Sequence, residues 1–305
     1  AFVNQTWDNY KRLDTPQPMI DYAARWLLDN LPQGYEPRLV HNDFRNGNFM
    51  VDEAGVVAVL DWEIAHIGDP MRDLGWICVN SWRFGGDKPV GGFGDYADLF
   101  AGYEEESGRK VDPAQVKFWE VFGSFWWSVG CLSMAEHYRT GPDKTVERPA
   151  IGRRSSECQV DCVNLLMPGA VDLVESEDNV STLDMPRADE LVTSVRDFLR
   201  DDVMNATEGR TNFLARVASN SLDIVLRELD LAPRQRLQEL TRLQAFYRSK
   251  DDLETLRWRL VTELRDGSRE LDDAALKDHL RQTVVNQIAI DQPRYSGFRT
   301  AVSRR

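Results

Sequence analysis

The sequence predicts an α+β fold: a mostly helical first part that carries one short β-hairpin, followed by an all-α part. Three observations carry this. The β-branched run Val56-Val57-Ala58-Val59-Leu60 follows the turn-forming Asp52-Glu53-Ala54-Gly55 and the short apolar run Phe49-Met50-Val51, a hairpin pattern. On both sides of it apolar residues recur at helical spacing. Beyond Met167-Pro168-Gly169 that spacing is the only one left.

In chain order, the residues ahead of His41 read as one helix with Ile20, Ala23, Ala24, Leu27, Leu28 and Leu31 on one face. In the hairpin, Val51 opposite Val56 sets Asn48 opposite Val59, and Asp61 lies two residues further, at a diagonal separation of roughly 7 Å. Asp69 before Pro70 is placed to cap a helix with proline in its first turn, and Asp73 falls in that turn, at the positive end of the dipole. Asp112-Pro113 opens another helix whose stretch Phe118–Met134 is the most apolar in the chain; Trp119, Phe122, Trp126 and Val129 are its expected buried face. One more helix ends at Val163-Asn164-Leu165-Leu166. The domains are therefore expected at 1–169 and 188–305, with an acidic, proline-bearing linker over 170–187.

The second domain reads as five helices: Leu191 to Leu199, Phe213 to Val225, Pro233 to Phe246, Leu253 to Leu264 ending before Gly267, and Leu276 to Ile288. Nothing in it marks an active site. Arg196, Arg200, Arg210 and Arg216 are expected to be solvated or ion-paired, and His279 has no partner in the sequence. The tail Gln292–Phe298 is a compact segment suited to docking on the first domain.

Composition narrows the function classes. The 305 residues are 42% apolar, enough for a large core, and no window reaches the roughly 18 uncharged apolar residues of a membrane span. No signal-like stretch opens the sequence, so no membrane association is expected. Residues 1–168 hold 16 basic against 25 acidic side chains and the remainder 21 against 25, a net −13 that disfavours nucleic acid. Cys78, Cys131, Cys158 and Cys162 include one i,i+4 pair with no second Cys/His pair nearby; buried thiols in a reducing compartment are the better reading, and the cytoplasm the expected location.

The chemistry is concentrated in His41-Asn42-Asp43-Phe44-Arg45-Asn46-Gly47-Asn48 and in Asp61-Trp62-Glu63, which begins thirteen residues after Asn48. An amide oxygen and a carboxylate on the hairpin can converge on a divalent ion, with Asp43 in the loop just before. Phosphoryl transfer needs such groups: Mg²⁺ to neutralise phosphate oxygens and a carboxylate to take the acceptor's proton. Mg²⁺ keeps several waters, so two protein ligands suffice. The pattern H-x-D-x-x-x-x-N with a following metal-binding Asp is the protein-kinase one, except that Asn42 replaces Arg and Trp62-Glu63 replaces Phe-Gly. His41 is expected to be a scaffold for this loop, not a proton carrier. Arg45 can pair with an acid in the loop or with a phosphate, and Glu63 can support the metal-binding Asp. His66, Asp69 and Asp73 are too separated by Gly68 and Pro70 to form a metal site of their own.

The runs Leu39–Met50, Val59–Glu63 and Gly68-Asp69-Pro70-Met71-Arg72-Asp73-Leu74 resemble the aminoglycoside phosphotransferase and choline kinase superfamily, a protein-kinase-like fold. Asp61–Pro70, Trp82-Arg83-Phe84-Gly85 and Ile151-Gly152-Arg153-Arg154 look most like its branch fused to acyl-CoA dehydrogenases, and the second domain resembles a helical domain of unknown function that accompanies such kinases. The resemblance implies Asp43 as catalytic base, Asn48 and Asp61 as Mg²⁺ ligands, ATP as donor, and Asp73 as a brace for the catalytic loop. It implies an alcohol acceptor, a hydroxyacyl compound or coenzyme A thioester in this branch and an amino alcohol or aminoglycoside in the wider superfamily, with an acyl-CoA dehydrogenase as a candidate partner. The 40 residues before His41 hold one lysine, Lys11, and no glycine-rich turn after a strand. The phosphate-covering N-lobe is therefore expected to be absent, the sequence being a fragment or a chain that lost that lobe. Gly85-Gly86 and Gly91-Gly92-Phe93-Gly94 do not replace it and are expected to form a surface loop near the acceptor site. The competing class is a non-catalytic, pseudokinase-like scaffold that recruits a partner enzyme.

Overall fold

A computed structural model describes residues 2–176 and 184–303. It is mostly helical with two small antiparallel ribbons, an α+β architecture. The expected single helix ahead of His41 is two: α1 (Phe2–Lys11) and α2 (Pro18–Asp29). Helix α1 buries Val3, Thr6, Trp7 and Tyr10, an i, i+3, i+4, i+7 stripe that is half aromatic and half hidden among polar residues. Leu31 lies past the end of α2 and is exposed.

Strand β1 (Arg38–Val40) pairs with β4 (His66–Gly68), and between them β2 (Phe49–Asp52) and β3 (Gly55–Val59) form the hairpin. Val51 faces Val56 as expected, but the register shifts between Met50 and Val51, so Phe49 faces Val59. The extra residue on β3 is a bulge. It moves Asn48 one place on from the expected partner: the Asn48 carbonyl accepts the Leu60 N–H at 2.8 Å, next to Asp61.

Helices α3 (Met71–Cys78), α4 (Tyr96–Ser107), α5 (Pro113–Thr140), α6 (Glu147–Arg153) and α7 (Ser155–Leu166) complete the first part. Asp112 caps α5 by accepting the Ala114 N–H at 2.9 Å. Trp119, Phe122 and Val129 are buried on α5 as expected; Trp126 is not, at 38% exposure, and Phe125 takes the inward place. Helix α3 crosses α5 at Gly75, where a Cβ would stand 2.5 Å from the Trp119 Cβ, so only glycine allows this approach. All four cysteines are buried and free.

Residues 177–183 of the expected linker lie outside the described residues. Its start is docked: the Asp172 and Val174 N–H groups donate to Gln282 and Asn286, both on α12 (Ala274–Asp291), at 2.9 and 2.8 Å. Helix α8 (Ala188–Asp197) runs through a wider turn at Phe198–Val203 into the short α9 (Met204–Ala206). The second and third expected helices are one, α10 (Gly209–Tyr247), which passes through Pro233. Proline costs a helix one hydrogen bond; buried residues on both sides of it, Ile224 and Ala232 before and Gln235 and Leu243 after, keep the helix on its neighbours. Helices α11 (Leu253–Asp266), α12 and α13 (Ser296–Val302) follow. Arg196, Arg200 and Arg210 are ion-paired with Asp197, Asp223 and Glu147.

One hydrophobic core runs through both parts, joining Tyr10, Ile20 and Phe122 to Leu243, Leu260, Leu276 and Ile288. Polar ties cross the same seam: Tyr22 Oη donates to the Leu271 carbonyl at 3.1 Å and Arg265 Nε to Asp21 at 2.9 Å. The tail sits on α7, where Tyr295 Oη donates to Asp161 at 2.6 Å and Asn164 to the Gly297 carbonyl at 2.8 Å.

Burial pushes the Asp161 carboxyl up to about 7, against the lowering effect of its bonds from Tyr295 and Asn80, and burial raises Glu120 to about 7 as well. An acid whose folded-state pKa is raised stabilises the fold fully below its unfolded pKa and loses that contribution as pH rises through the folded value. Stability is therefore expected to decline between the ordinary value of 3.8 and about 7. Asp161→Asn should flatten this decline in urea titrations at stepped pH; an unchanged slope would contradict the assignment.

Candidate active site

The loop from His41 to Asn48 is held from three sides. Asp73, half-buried on the first turn of α3, accepts the His41 and Asn42 N–H groups at 2.7 and 2.8 Å. Burial raises the Asp73 carboxyl, and these two bonds oppose the rise. The His41 ring, 2% exposed, bridges loop and hairpin: Nδ1 accepts the Asp43 N–H at 3.2 Å while Nε2 lies 2.7 Å from the Leu60 carbonyl. With Nδ1 accepting, the proton sits on Nε2, and both ring nitrogens are engaged in holding backbone. Trp62 covers the ring with centroids 4.5 Å apart.

Asp43 is the convergence point. Its Oδ1 accepts from Arg45 Nε and from Trp76 Nε1, both at 3.0 Å. Its Oδ2 accepts from Asn48 Nδ2 at 2.7 Å, and the same amide donates to the Asp43 carbonyl at 2.9 Å. Arg45 thus pairs with the loop acid, the first of the two partners open to it in the sequence. Asn48 is 3% exposed and its amide nitrogen is committed to Asp43, which leaves its Oδ1 facing elsewhere. Asp61, exposed, has a left-handed backbone with φ 64°, as Asn42 does at φ 72°. Non-glycine residues take this conformation at a cost and concentrate it at functional sites.

Among the described residues neither Asn48 Oδ1 nor the Asp61 carboxylate accepts a hydrogen bond, so two hard oxygen groups stand unengaged at the open end of the ribbon, where Asn48 bonds the residue before Asp61. That donor set suits Mg²⁺. Asp69 is otherwise occupied: it accepts the Met71 N–H at 3.0 Å and Trp119 Nε1 at 2.8 Å, fastening the start of α3 to α5. Glu63 is exposed in the turn after Asp61 and has no hydrogen bond or ion pair among the described residues. His66 lies against Phe2, apart from the Asp43 group.

Several contributors were not singled out from the sequence. Trp76 lies three residues after Asp73, one helical turn on, a spacing that could have flagged it. It starts a run of indoles: Trp76 meets Trp82 and Trp126 at 5.9 and 5.5 Å, and Trp82 meets Trp127 at 5.7 Å. Asn46 donates to the Gly91 carbonyl at 3.1 Å, which ties the glycine-bearing segment to the loop. Exposed apolar side chains surround the ribbons, among them Leu39, Met50, Val57, Trp62 and Ile67.

The loop acid braced by a helix and the ribbon that follows it lie within residues 3–119, which match the family model described as the phosphotransferase enzyme family. Residues 205–295 match a second model, a domain of unknown function, DUF6285. The chain is 39% identical over 79 residues to acyl-CoA dehydrogenase family member 10 of Mus musculus, covering 25% of this chain and 7% of that protein. Against family member 11 of Homo sapiens it is 45% identical over 60 residues, 19% of this chain and 8% of that protein. The chain thus matches less than a tenth of the length of either relative. A solved structure from Ralstonia eutropha JMP134, proposed to be an aminoglycoside phosphotransferase, aligns with a TM-score of 0.44 at 26% identity over 52% of each chain. Among the described residues, no helix is long and apolar enough to cross a membrane.

Proposed function

We propose that this chain carries the catalytic loop of an ATP-dependent small-molecule kinase acting on an alcohol, with a helical accessory domain behind it. The observation that carries the reading is the state of three neighbouring groups. Asp43 is fixed by three side-chain donors, while among the described residues Asn48 Oδ1 and the carboxylate of Asp61, the residue after the Leu60 bonded to Asn48, accept no hydrogen bond.

In this reading Asp43 accepts the acceptor's hydroxyl proton, and the bonds from Arg45, Trp76 and Asn48 aim its carboxylate. Asn48 and Asp61 would hold Mg²⁺, which when bound neutralises charge on the donor phosphates. His41 and Asp73 keep the loop at its distance from the ribbon. The exposed apolar belt around the ribbons is the seat of the phosphate-covering lobe that the family resemblance implies. Phe84 and Phe93, exposed on the segment tied to the loop by Asn46, and Trp126, exposed against Trp76, favour an acceptor with an apolar body, hence a hydroxyacyl compound over an amino alcohol. The matched proteins are acyl-CoA dehydrogenase family members by name, which is the ground for proposing an acyl compound as acceptor and such a dehydrogenase as partner. Four buried thiols support a cytoplasmic setting.

The test is Mg-ATP turnover by the complete gene product against hydroxyacyl compounds and amino alcohols, with Asp61→Ala alongside. The variant is expected to lose at least about a hundredfold in rate, the scale of one lost transition-state contact, with part of the loss recovered at high Mg²⁺. Unchanged turnover in Asp61→Ala would overturn the metal assignment, and no turnover with any acceptor would overturn the enzyme reading.

A further inference from the structure

A cavity of about 550 Å³ lies far from Asp43 in the fold, between the part matched to the phosphotransferase family and the helices that follow it. One wall comes from the α1–α2 connection, the second half of α5, α6 and α7; the other comes from α10, α11 and α12. The volume is in the range of small-molecule sites. Met19, Leu132, Ala135, Pro149, Leu280 and Val284 give it apolar walls, among polar side chains such as Gln17, Ser156 and Thr283.

The deeper charges on its walls cancel in pairs. Arg153 bonds Asp291 at 3.1 Å and also Glu228, and Arg257 bonds Glu239 at 2.7 Å. Arg139, the remaining cation of the lining, has a side chain 71% exposed and a loose contact to Glu136 at 3.8 Å. An anion brought inside would thus meet no uncommitted buried cation and would pay for its desolvation unaided.

One polar group inside is different. His279, on α12, lines the cavity, is 4% exposed, and its Nδ1 has no hydrogen-bond partner. Nδ1 is closed off on its own side, whereas Nε2 is not closed off and makes no hydrogen bond with the described residues, so it is the ring nitrogen left for a partner from outside the chain. Burial pulls the imidazole down to about 4, so it is neutral near pH 7 and offers one donor and one acceptor.

We propose that this cavity is a second binding site, for an uncharged, largely apolar small molecule whose single alcohol or carbonyl oxygen meets His279. The apolar walls supply the burial energy and the imidazole selects the oxygen. Because the site is walled by both parts of the chain, its ligand would also bridge them.

The test uses 1-octanol as probe and octanoate as its charged counterpart, titrated near neutral pH by calorimetry and by the imidazole NMR signals. Saturable octanol binding that shifts the His279 resonances, with octanoate at least about tenfold weaker, is the expected result. Leu132→Trp, which fills the cavity from α5, should abolish octanol binding while leaving helical content and the unfolding transition in place. If that variant does not fold, the His279 shifts in the natural chain decide alone. Absence of saturable binding or of a His279 shift would mean that the cavity holds only water, and equal binding of octanoate would mean that the ligand class is wrong; either overturns the proposal.

Discussion

Asp43→Asn is expected to lower phosphotransfer by about a thousandfold, within the 10²–10⁴ range of a general base, while the fold and nucleotide affinity stay close to those of the natural chain. The amide keeps the shape of the carboxylate and one acceptor oxygen, so either Trp76 and Arg45 or Asn48 can still be served. What it lacks is the basic oxygen that takes the acceptor's proton. The measurement is kcat and KM of the complete gene product with its best acceptor. A fall in kcat at nearly constant KM supports the role, and turnover equal to the natural chain removes Asp43 from the chemistry. A fall seen only in KM would make it a binding group.

The second large effect concerns the seam. Asp21 on α2 is wholly buried and accepts from Trp7 Nε1 at 2.7 Å, Tyr10 Oη at 3.2 Å and Arg265 Nε at 2.9 Å. Asp21→Ala strands a mostly buried guanidinium and an indole N–H together. Breaking a buried pair from one side costs about 3–5 kcal/mol, and that is the loss expected in chemical denaturation. Adding Arg265→Met should restore much of it, because the stranded charge is then gone. A loss below about 1 kcal/mol in the single variant would show that solvent reaches this group.

The sequence-based reading and the structure agree where the signal is local. Asp112 before Pro113, Val51 across the turn from Val56, and Asp73 at the start of α3 are each set by residues within a few positions of one another. The bulge on β3 was not legible, since Val56 and Val57 are identical in kind and the alternation that fixes register has nothing to distinguish them. Helix α1 was missed because its buried stripe includes Thr6 among Asn4, Gln5 and Asp8, which lowers the apparent periodicity. Pro233 was read as a helix start by its local preference, but packing on both sides carries α10 through it. The pairing of β1 with β4 and the core shared by the two parts depend on contacts between residues far apart in the chain, such as Tyr22 with Leu271. At the candidate site Asp43, Asn48 and Asp61 were singled out from the sequence, and the structure joins Asn48 to Asp43 and to the residue before Asp61. Trp76, which bonds Asp43, and the indoles that follow it were not singled out as part of the site, because tryptophan at helical spacing looks like ordinary core.

The single unpaired residue on β3 has an evolutionary corollary. It sets how far Asp61 is advanced relative to Asn48, so the site depends on the length of the ribbon more than on which apolar side chains it carries. Met50, Val51, Val56 and Val57 are all largely exposed, so exchanging one apolar side chain for another there leaves the spacing as it is. Losing or gaining one codon there would instead turn the second acid to the opposite side of the ribbon and disable the site in one step, with little harm to the rest of the molecule.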